Sequence, residues 1–305
     1  MSPHLKAVLQ ALFVTFLWST SWVLIKIGLD DIPALTFAGL RYALAFLCLL
    51  PLALRRRPHG PRPRVTARDW LQLLLLGIVM YTLTQGAQFL ALAYLPAQTT
   101  SLLLSFSPVA VAFLGMLLLA ERPSGSQWLG VLLYLVGAAT FLYPASFPAG
   151  QLLGIGIAVL GVLSNAGASV LGRAVNRKEG LHPLFVTTVS MGIGSFLLLV
   201  TGLAIQGLPA LSLQSWLIIA WLAVVNTAFA FTLWNHTLRT LPAMDSSVIN
   251  NTMLIQIAVL AWLFLGEGLG VRELVGLLLA ALGTLVVQLH RRLGPRSTTL
   301  EPRGS

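Results

Sequence analysis

Three polar side chains interrupt an apolar stretch at Tyr81, Gln85 and Gln88. Spaced i, i+4 and i+7, they share one face of a helix. Such a stripe is costly against lipid, so the face looks onto protein or a water-filled cavity. Amides and a phenol both donate and accept hydrogen bonds, which suits them to holding a polar solute without reacting with it. A shift of 146 residues lays Thr227, Phe231 and Trp234 on the same three positions and adds an aromatic face. Further polar groups sit at matching depths, with Gln98, Ser101 and Ser105 in one stretch and Ser247, Asn250 and Asn251 in another. Trp18 with Ser21, and Asn165 with Ser169, complete the set. Each residue alone has a blander use, bridging helices inside a membrane. As a set, converging amide and aromatic groups without an acidic pair suit a small, partly apolar, hydrogen-bonding solute.

Two cations, Lys26 and Arg41, lie inside apolar runs, and an intramembrane charge is a functional candidate. Lys26 has the alternative of snorkelling to the interface beside Asp30 and Asp31. Arg41 is deeper, placed to pair with a substrate carboxylate or to hold the last carbonyls of a neighbouring helix. Asp245 follows Pro242 in the first turn of a helix, where an acid favours the positive helix end. Glu121 and Glu267 fall at helix ends, better placed for turn packing than for proton relay.

Covalent and metal chemistry find no support. The sequence has no GxxxxGK[ST], HExxH or GxSxG pattern. Gly167-Ala168-Ser169 lacks a paired histidine at a sensible depth, and the five histidines are scattered. The single cysteine, Cys48, excludes an internal disulfide and a cysteine metal site. No catalytic residue, metal or cofactor is expected, and the chain does not read as an enzyme.

The elements that must position these groups are membrane helices. Of 305 residues, 57% are hydrophobic and only 9% charged, too few charges to clothe a water-facing surface. Apolar runs able to cross a bilayer fall at roughly 5–29, 33–54, 70–94, 97–120, 126–144, 151–173, 183–205, 213–238, 243–266 and 271–290. The expectation is an all-α membrane protein of ten transmembrane helices. The first run is too long for a cleaved leader and is expected to remain as the first span. Leu300 to Ser305 resembles a tag remnant and is excluded from fold reasoning, and residues 291–305 are read as a cytoplasmic tail.

The net charge of +10 is explained by placement. Lys6, the run from Arg55 to Arg68, Arg122, Arg173, Arg177, Lys178, Arg239, and Arg291 to Arg296 all fall on one side of the ten-span arrangement. The other side holds Arg272 with Asp30 and Asp31. This asymmetry predicts cytoplasmic N- and C-termini and no nucleic-acid partner.

The chain is also duplicated. Leu92–Gly137 lies without a gap on Leu238–Gly283, with Pro96/Pro242, Ser101/Ser247, Glu121/Glu267, Gly130/Gly276 and Gly137/Gly283 matching. Five spans per copy, over 5–144 and 151–290, turn the second copy upside down. An inverted repeat lets one central site open to either side in turn. Gly130 with Gly137, and Gly276 with Gly283, lie seven apart on the nearly apolar helices five and ten, which suits close packing at the periphery or self-association.

Trp18-Ser19-Thr20-Ser21-Trp22 followed by Lys26, and the runs closing on Leu119-Ala120-Glu121-Arg122 and Leu263-Phe264-Leu265-Gly266-Glu267, resemble the drug/metabolite transporter superfamily. Both copies look like EamA domains, and the resemblance spans residues 5–290. Within that superfamily the chain is most similar to bacterial YddG-type amino-acid exporters, whose substrates include aromatic amino acids. The resemblance implies a bacterial inner-membrane carrier with a central cavity walled by helices one to four and six to nine. An amino acid would then meet Trp18, Ser21, Arg41, Tyr81, Gln85, Gln88, Ser101, Ser105, Asn165, Phe231, Trp234, Asn250 and Asn251. A carrier of another metabolite or drug, such as a nucleotide sugar or a purine, is the rival reading, and an intramembrane hydrolase a more remote one. The copies differ where Trp18 faces Ser164 and Lys26 faces Gly172, so the cavity is expected to be asymmetric.

Overall fold

The computed structural model describes residues 2–55, 65–107, 109–110, 125–143, 149–176, 183–237, 240–241 and 243–293. Glu121, Arg122, most of the basic run, Arg177, Lys178, Arg239, Pro242 and the tail beyond residue 293 lie outside them, as do the side chains of Arg173, Asp245, Ser247, Arg291 and Arg292. The described residues contain helices and no strand.

Helix α1 (Pro3–Gly28) starts where Ser2 Oγ accepts the Leu5 N–H at 3.2 Å and Pro3 fills a first-turn position needing no amide. Helix α2 covers Ala34–Arg55. Helix α3 opens on a capping box, Thr66 with Asp69, and runs Ala67–Gly77, through a π-helical stretch Ile78–Gln85, to Gly86–Tyr94. Helix α4 is described over Ala97–Leu104, α5 over Gly125–Leu142, α6 over Ala149–Asn176 and α7 over Pro183–Gln206. Helix α8 repeats the architecture of α3: Leu213–Ala223, a π-helical stretch Val224–Phe229, then Ala230–Thr237. Helices α9 (Ala243–Leu265) and α10 (Val271–Leu293) complete the chain. Gly207 (φ 74°) and Gly266 (φ 66°) end α7 and α9 in the left-handed conformation that glycine reaches without a Cβ clash.

Among the described residues, six helices are long and apolar enough to cross a membrane: α1, α2, α3, α5, α6 and α7. Leu213–Phe229 and Ile249–Leu265 are apolar but shorter. Ten full spans were expected. Residues 111–124, which include the end of the fourth expected span, and the side chains of 243–248 in the ninth, lie outside the described residues.

Packing follows a two-fold pattern. Helix α1 lies against α8 and α9, and its counterpart α6 lies against α3 and α4; α2 pairs with α7, and α5 with α10. Glycine lets these counterpart pairs meet backbone to backbone. A Cβ on Gly137 would come within 2.5 Å of Ala280 N, and one on Gly283 within 2.4 Å of Tyr134 N. The glycine faces of α5 and α10 therefore pack on each other within one chain, while Trp128, Leu129, Leu132 and Leu278 point outward.

The core is uneven along the bundle. Toward the face opposite the N-terminus (the far face), one cluster joins both repeats through Trp22, Ile25, Phe37, Tyr42, Phe89, Leu92, Ile219 and Ile257. Toward the N-terminal face, α1 and α9 share one cluster through Ala7, Ala11, Leu241 and Ile249, while α3, α6 and α7 share another through Leu73, Leu76, Val175 and Val186. Among the described residues no core cluster bridges these two groups at that end. The cluster that joins both repeats thus lies toward the far face.

Candidate substrate site

The two π-helical stretches stand at equivalent positions of the two repeats, since Ile78 maps onto Val224. A π turn inserts a residue into the i→i−4 ladder, and such bulges frequently mark functional sites. Each stretch here hands a polar side chain to helix α2.

Val224–Phe229 supplies two neighbours that face different helices. Asn226, fully buried, donates through Nδ2 to Leu17 O, to Ser21 Oγ at 2.8 Å and to Thr20 Oγ1 at 3.2 Å, while its backbone carbonyl accepts Trp18 Nε1–H at 3.1 Å. Thr227 accepts the Arg41 Nε–H at 3.3 Å. One turn of α8 thus fastens both an aromatic residue of α1 and the cation of α2.

Trp18 gathers the aromatic groups. Its ring lies 5.1 Å from Phe231 and 5.2 Å from Trp234 between centroids, both tilted, as aromatic pairs prefer. Trp18 and Trp234 are half-buried and Phe231 is exposed. The sequence reading placed these three in one site, and the structure brings them into contact.

Arg41 is 5% exposed. Its guanidinium carbon lies 5.2 Å from the Tyr42 ring centroid and 6.0 Å from that of Phe89. No carboxylate of a described residue pairs with it, and its terminal nitrogens bond to no described residue. Among the described residues, the sealed polar atoms lacking a partner are Gln72 Oε1, Thr188 Oγ1 and Asn226 Oδ1. A buried cation without its own anion is expensive, and ordinarily an anion or water completes it.

The other π stretch completes the surroundings of α2. Tyr42 donates its hydroxyl to Gln85 Oε1 at 2.6 Å, and Tyr81 meets the Tyr42 ring edge-on at 5.8 Å. Gln88 is half-buried and hydrogen-bonds to no described residue.

The remaining expected residues divide. Ser101 and Ser105 turn their hydroxyls back onto α4, to Gln98 O and Leu102 O. The Asn165 carbonyl takes the Ser169 hydroxyl at 2.8 Å. Asn250 is exposed, and Asn251 Oδ1 accepts from Thr284 of α10 at 3.4 Å. Residues absent from the sequence reading are Tyr42, Asn226 and the network of Gln256 with Ser19 (3.0 Å), Thr15 (3.3 Å) and Thr252 (2.9 Å). Lone amides at Asn226 and Gln256 within apolar runs were the available signal.

Lys26 does not snorkel. It turns inward, donating to Leu92 O at 2.6 Å and Leu95 O at 2.9 Å, the last carbonyls of α3. Glu267 accepts the Ala97 and Gln98 amides at 2.6 and 3.0 Å, capping α4. A cation on a helix C-terminus and a carboxylate on the next N-terminus both match the helix dipoles. Together they clamp the α3–α4 turn to α1 and α9 beside a far-face cavity of about 400 Å³ that Asp30 and Tyr94 also line.

A helical, apolar, internally repeated bundle defines a multi-pass membrane protein. The chain belongs to the EamA-like transporter family, which matches residues 5–143 and 152–289. It is 30% identical to the uncharacterized transporter YvbV of Bacillus subtilis, over 68% of this chain and 67% of that one. It is 25% identical to a probable terminal-alkyne amino-acid exporter of Streptantibioticus cattleyicolor, over 97% and 98%. An S-adenosylmethionine/S-adenosylhomocysteine transporter of Chlamydia trachomatis is 26% identical over 83% and 80%.

Proposed function

We propose that this carrier exports amino acids, aromatic ones among them, from the bacterial cytoplasm by alternating access, with both termini cytoplasmic. The observation that carries the reading is Arg41, buried and lacking a carboxylate among the described residues, on the same turn of α8 that fastens Trp18. A carboxylate takes the free guanidinium nitrogens as a planar, charge-assisted pair. An apolar or aromatic side chain then packs among Trp18, Phe231 and Trp234. Tyr81, Gln85 and Gln88 remain to meet an ammonium or a polar substituent. The likeness to an amino-acid exporter over nearly the whole chain supports the reading.

Proteoliposomes loaded with labelled phenylalanine test it. Phenylalanine should compete and phenethylamine, which lacks the carboxylate, should not. Arg41→Gln should raise KM about tenfold or more, the cost of losing a charged hydrogen-bonding partner. If no amino acid competes while a nucleotide sugar or purine does, the substrate class is wrong.

The S-adenosylmethionine relative favours a second reading, a larger metabolite that also carries an α-amino carboxylate. Competition by S-adenosylhomocysteine at concentrations where phenylalanine is inert would select it.

A further inference from the structure

Thr227 Oγ1 donates to Leu222 O, five residues back, at 2.8 Å. In a regular α-helix a threonine hydroxyl reaches the carbonyl three or four residues back. The five-residue reach belongs to the π turn, and Thr84 does the same in the other repeat, to Val79 O at 2.8 Å. With its only proton committed to Leu222, the Thr227 oxygen can act toward Arg41 solely as an acceptor, and it takes Nε–H.

That bond fixes more than one atom. A guanidinium is a rigid planar fork, so holding Nε and packing the plane near Tyr42 and Phe89 sets where the two terminal nitrogens point. Tyr42 is in turn held by Gln85, the last residue of the other π stretch. Consecutive residues of α2 are therefore gripped by equivalent turns of both repeats. In sequence these partners are distant: Arg41 and Thr227 lie 186 positions apart.

We infer that Thr227 is a positioning residue that aims Arg41 at the substrate carboxylate and so sets the preference for acids over their amides and amines. The inference rests on the role given to Arg41 above. Replacing the hydroxyl by a methyl in Thr227→Val keeps the shape but leaves Nε without its acceptor, freeing the fork to rotate.

Transport in proteoliposomes tests this with labelled phenylalanine, competed by phenylalanine and by phenylalaninamide. Thr227→Val should raise KM for the acid about tenfold, leave kcat within about twofold, and shrink the acid-to-amide preference by the same factor as KM. Thr227→Ser, which retains the oxygen, should restore both. Thermal unfolding of each variant in detergent accompanies the kinetics. A Thr227→Val protein that keeps the acid preference while Arg41→Gln loses it overturns the inference and spares the functional reading. A loss in kcat alone, or no rescue by Thr227→Ser, also overturns it. An Arg41→Gln protein that still prefers the acid removes the functional reading itself.

Discussion

Helices α1 and α6 are counterparts, yet they are attached to the bundle in opposite ways. Helix α1 is tied to α8 and α9 by directional bonds: Trp18 and Ser21 to Asn226, Ser19 and Thr15 to Gln256. Among the described residues, the contacts of α6 with α3 and α4 include apolar ones, Ala158 with Ala91 and Leu95, Val162 and Ala166 with Ala110. The difference is visible at one pair of positions. The Ser19 side chain bonds across to Gln256, whereas at its counterpart Asn165 the bond described is the backbone carbonyl accepting Ser169 of its own helix. Hydrogen bonds must break before helices slide, while apolar contact is non-directional and survives small displacements. If the carrier alternates access as proposed above, the α6 joint is the one suited to slip and the α1 joint the one suited to hold.

The largest effect should come from breaking the held joint. Asn226→Leu removes the interhelical side-chain bonds to Leu17, Thr20 and Ser21. At about 0.6 kcal/mol per interhelical bond in membranes, with some reaching about 1.7, the loss should total roughly 2 kcal/mol. It should lower the thermal midpoint by several degrees and reduce transport, even though the Trp18 bond, made to the backbone carbonyl of residue 226, is kept. Asn165→Leu, at the slipping joint, should shift the midpoint little. Equal losses from the two substitutions, measured side by side in detergent, would erase the distinction between the joints.

A middle effect concerns the clamp that holds the α3–α4 turn at the far face. Glu267→Gln replaces a carboxylate at a helix N-terminus by a neutral amide, weakening the cap by about 1 kcal/mol. Lys26→Met removes the cation from the last carbonyls of α3. Either change should favour states in which α3 and α4 swing away from α1 and α9. In a Cys48→Ser background, a cysteine placed at Leu92, now fully buried, should label severalfold faster with a membrane-impermeant maleimide. Unchanged labelling in both variants would mean that the apolar core around Phe37 and Phe89, rather than the clamp, keeps that face shut.

How much of this was legible beforehand depends on distance along the chain. The helices were, because apolar runs are local: each expected boundary lies within three residues of the observed one wherever both are described. The aromatic cluster was also found, since the repeat carried Gln85 and Gln88 onto Phe231 and Trp234. The Arg41–Thr227 bond was not, because no periodicity links residues on helices two and eight. The π turns were hidden as well. An inserted residue has no composition signal, yet it turns everything beyond it by about 100° around the helix axis. That rotation is why Tyr81 and Gln85 converge on Tyr42 while Gln88, on the same expected stripe, does not. In α9 the polar residues spread around the helix, so face counting had no means of telling Asn251, bonded to Thr284, from Gln256, bonded to α1.

The smallest effect, and the finest probe of the slipping joint, is a single methyl on α6. A Cβ on Gly161 would lie 3.1 Å from Leu104 Cδ2 and 3.3 Å from the Ala87 Cβ, tight but against side-chain atoms. A Cβ on Gly156 would meet nothing within 4 Å. Both changes gain helix propensity, up to about 1 kcal/mol, so stability should rise slightly or stay level in each. Only Gly161→Ala alters the surface along which α6 moves over α3 and α4. If that surface slides during turnover, Gly161→Ala should change kcat by about twofold to fivefold, the effect of about 0.4 to 1 kcal/mol on a barrier, with KM unchanged. Gly156→Ala should transport as the parent does. Were Gly161→Ala to behave like Gly156→Ala while Asn226→Leu altered kcat without loss of stability, the roles would reverse: α1 would be the moving helix, and its hydrogen bonds would be the ones remade in every cycle.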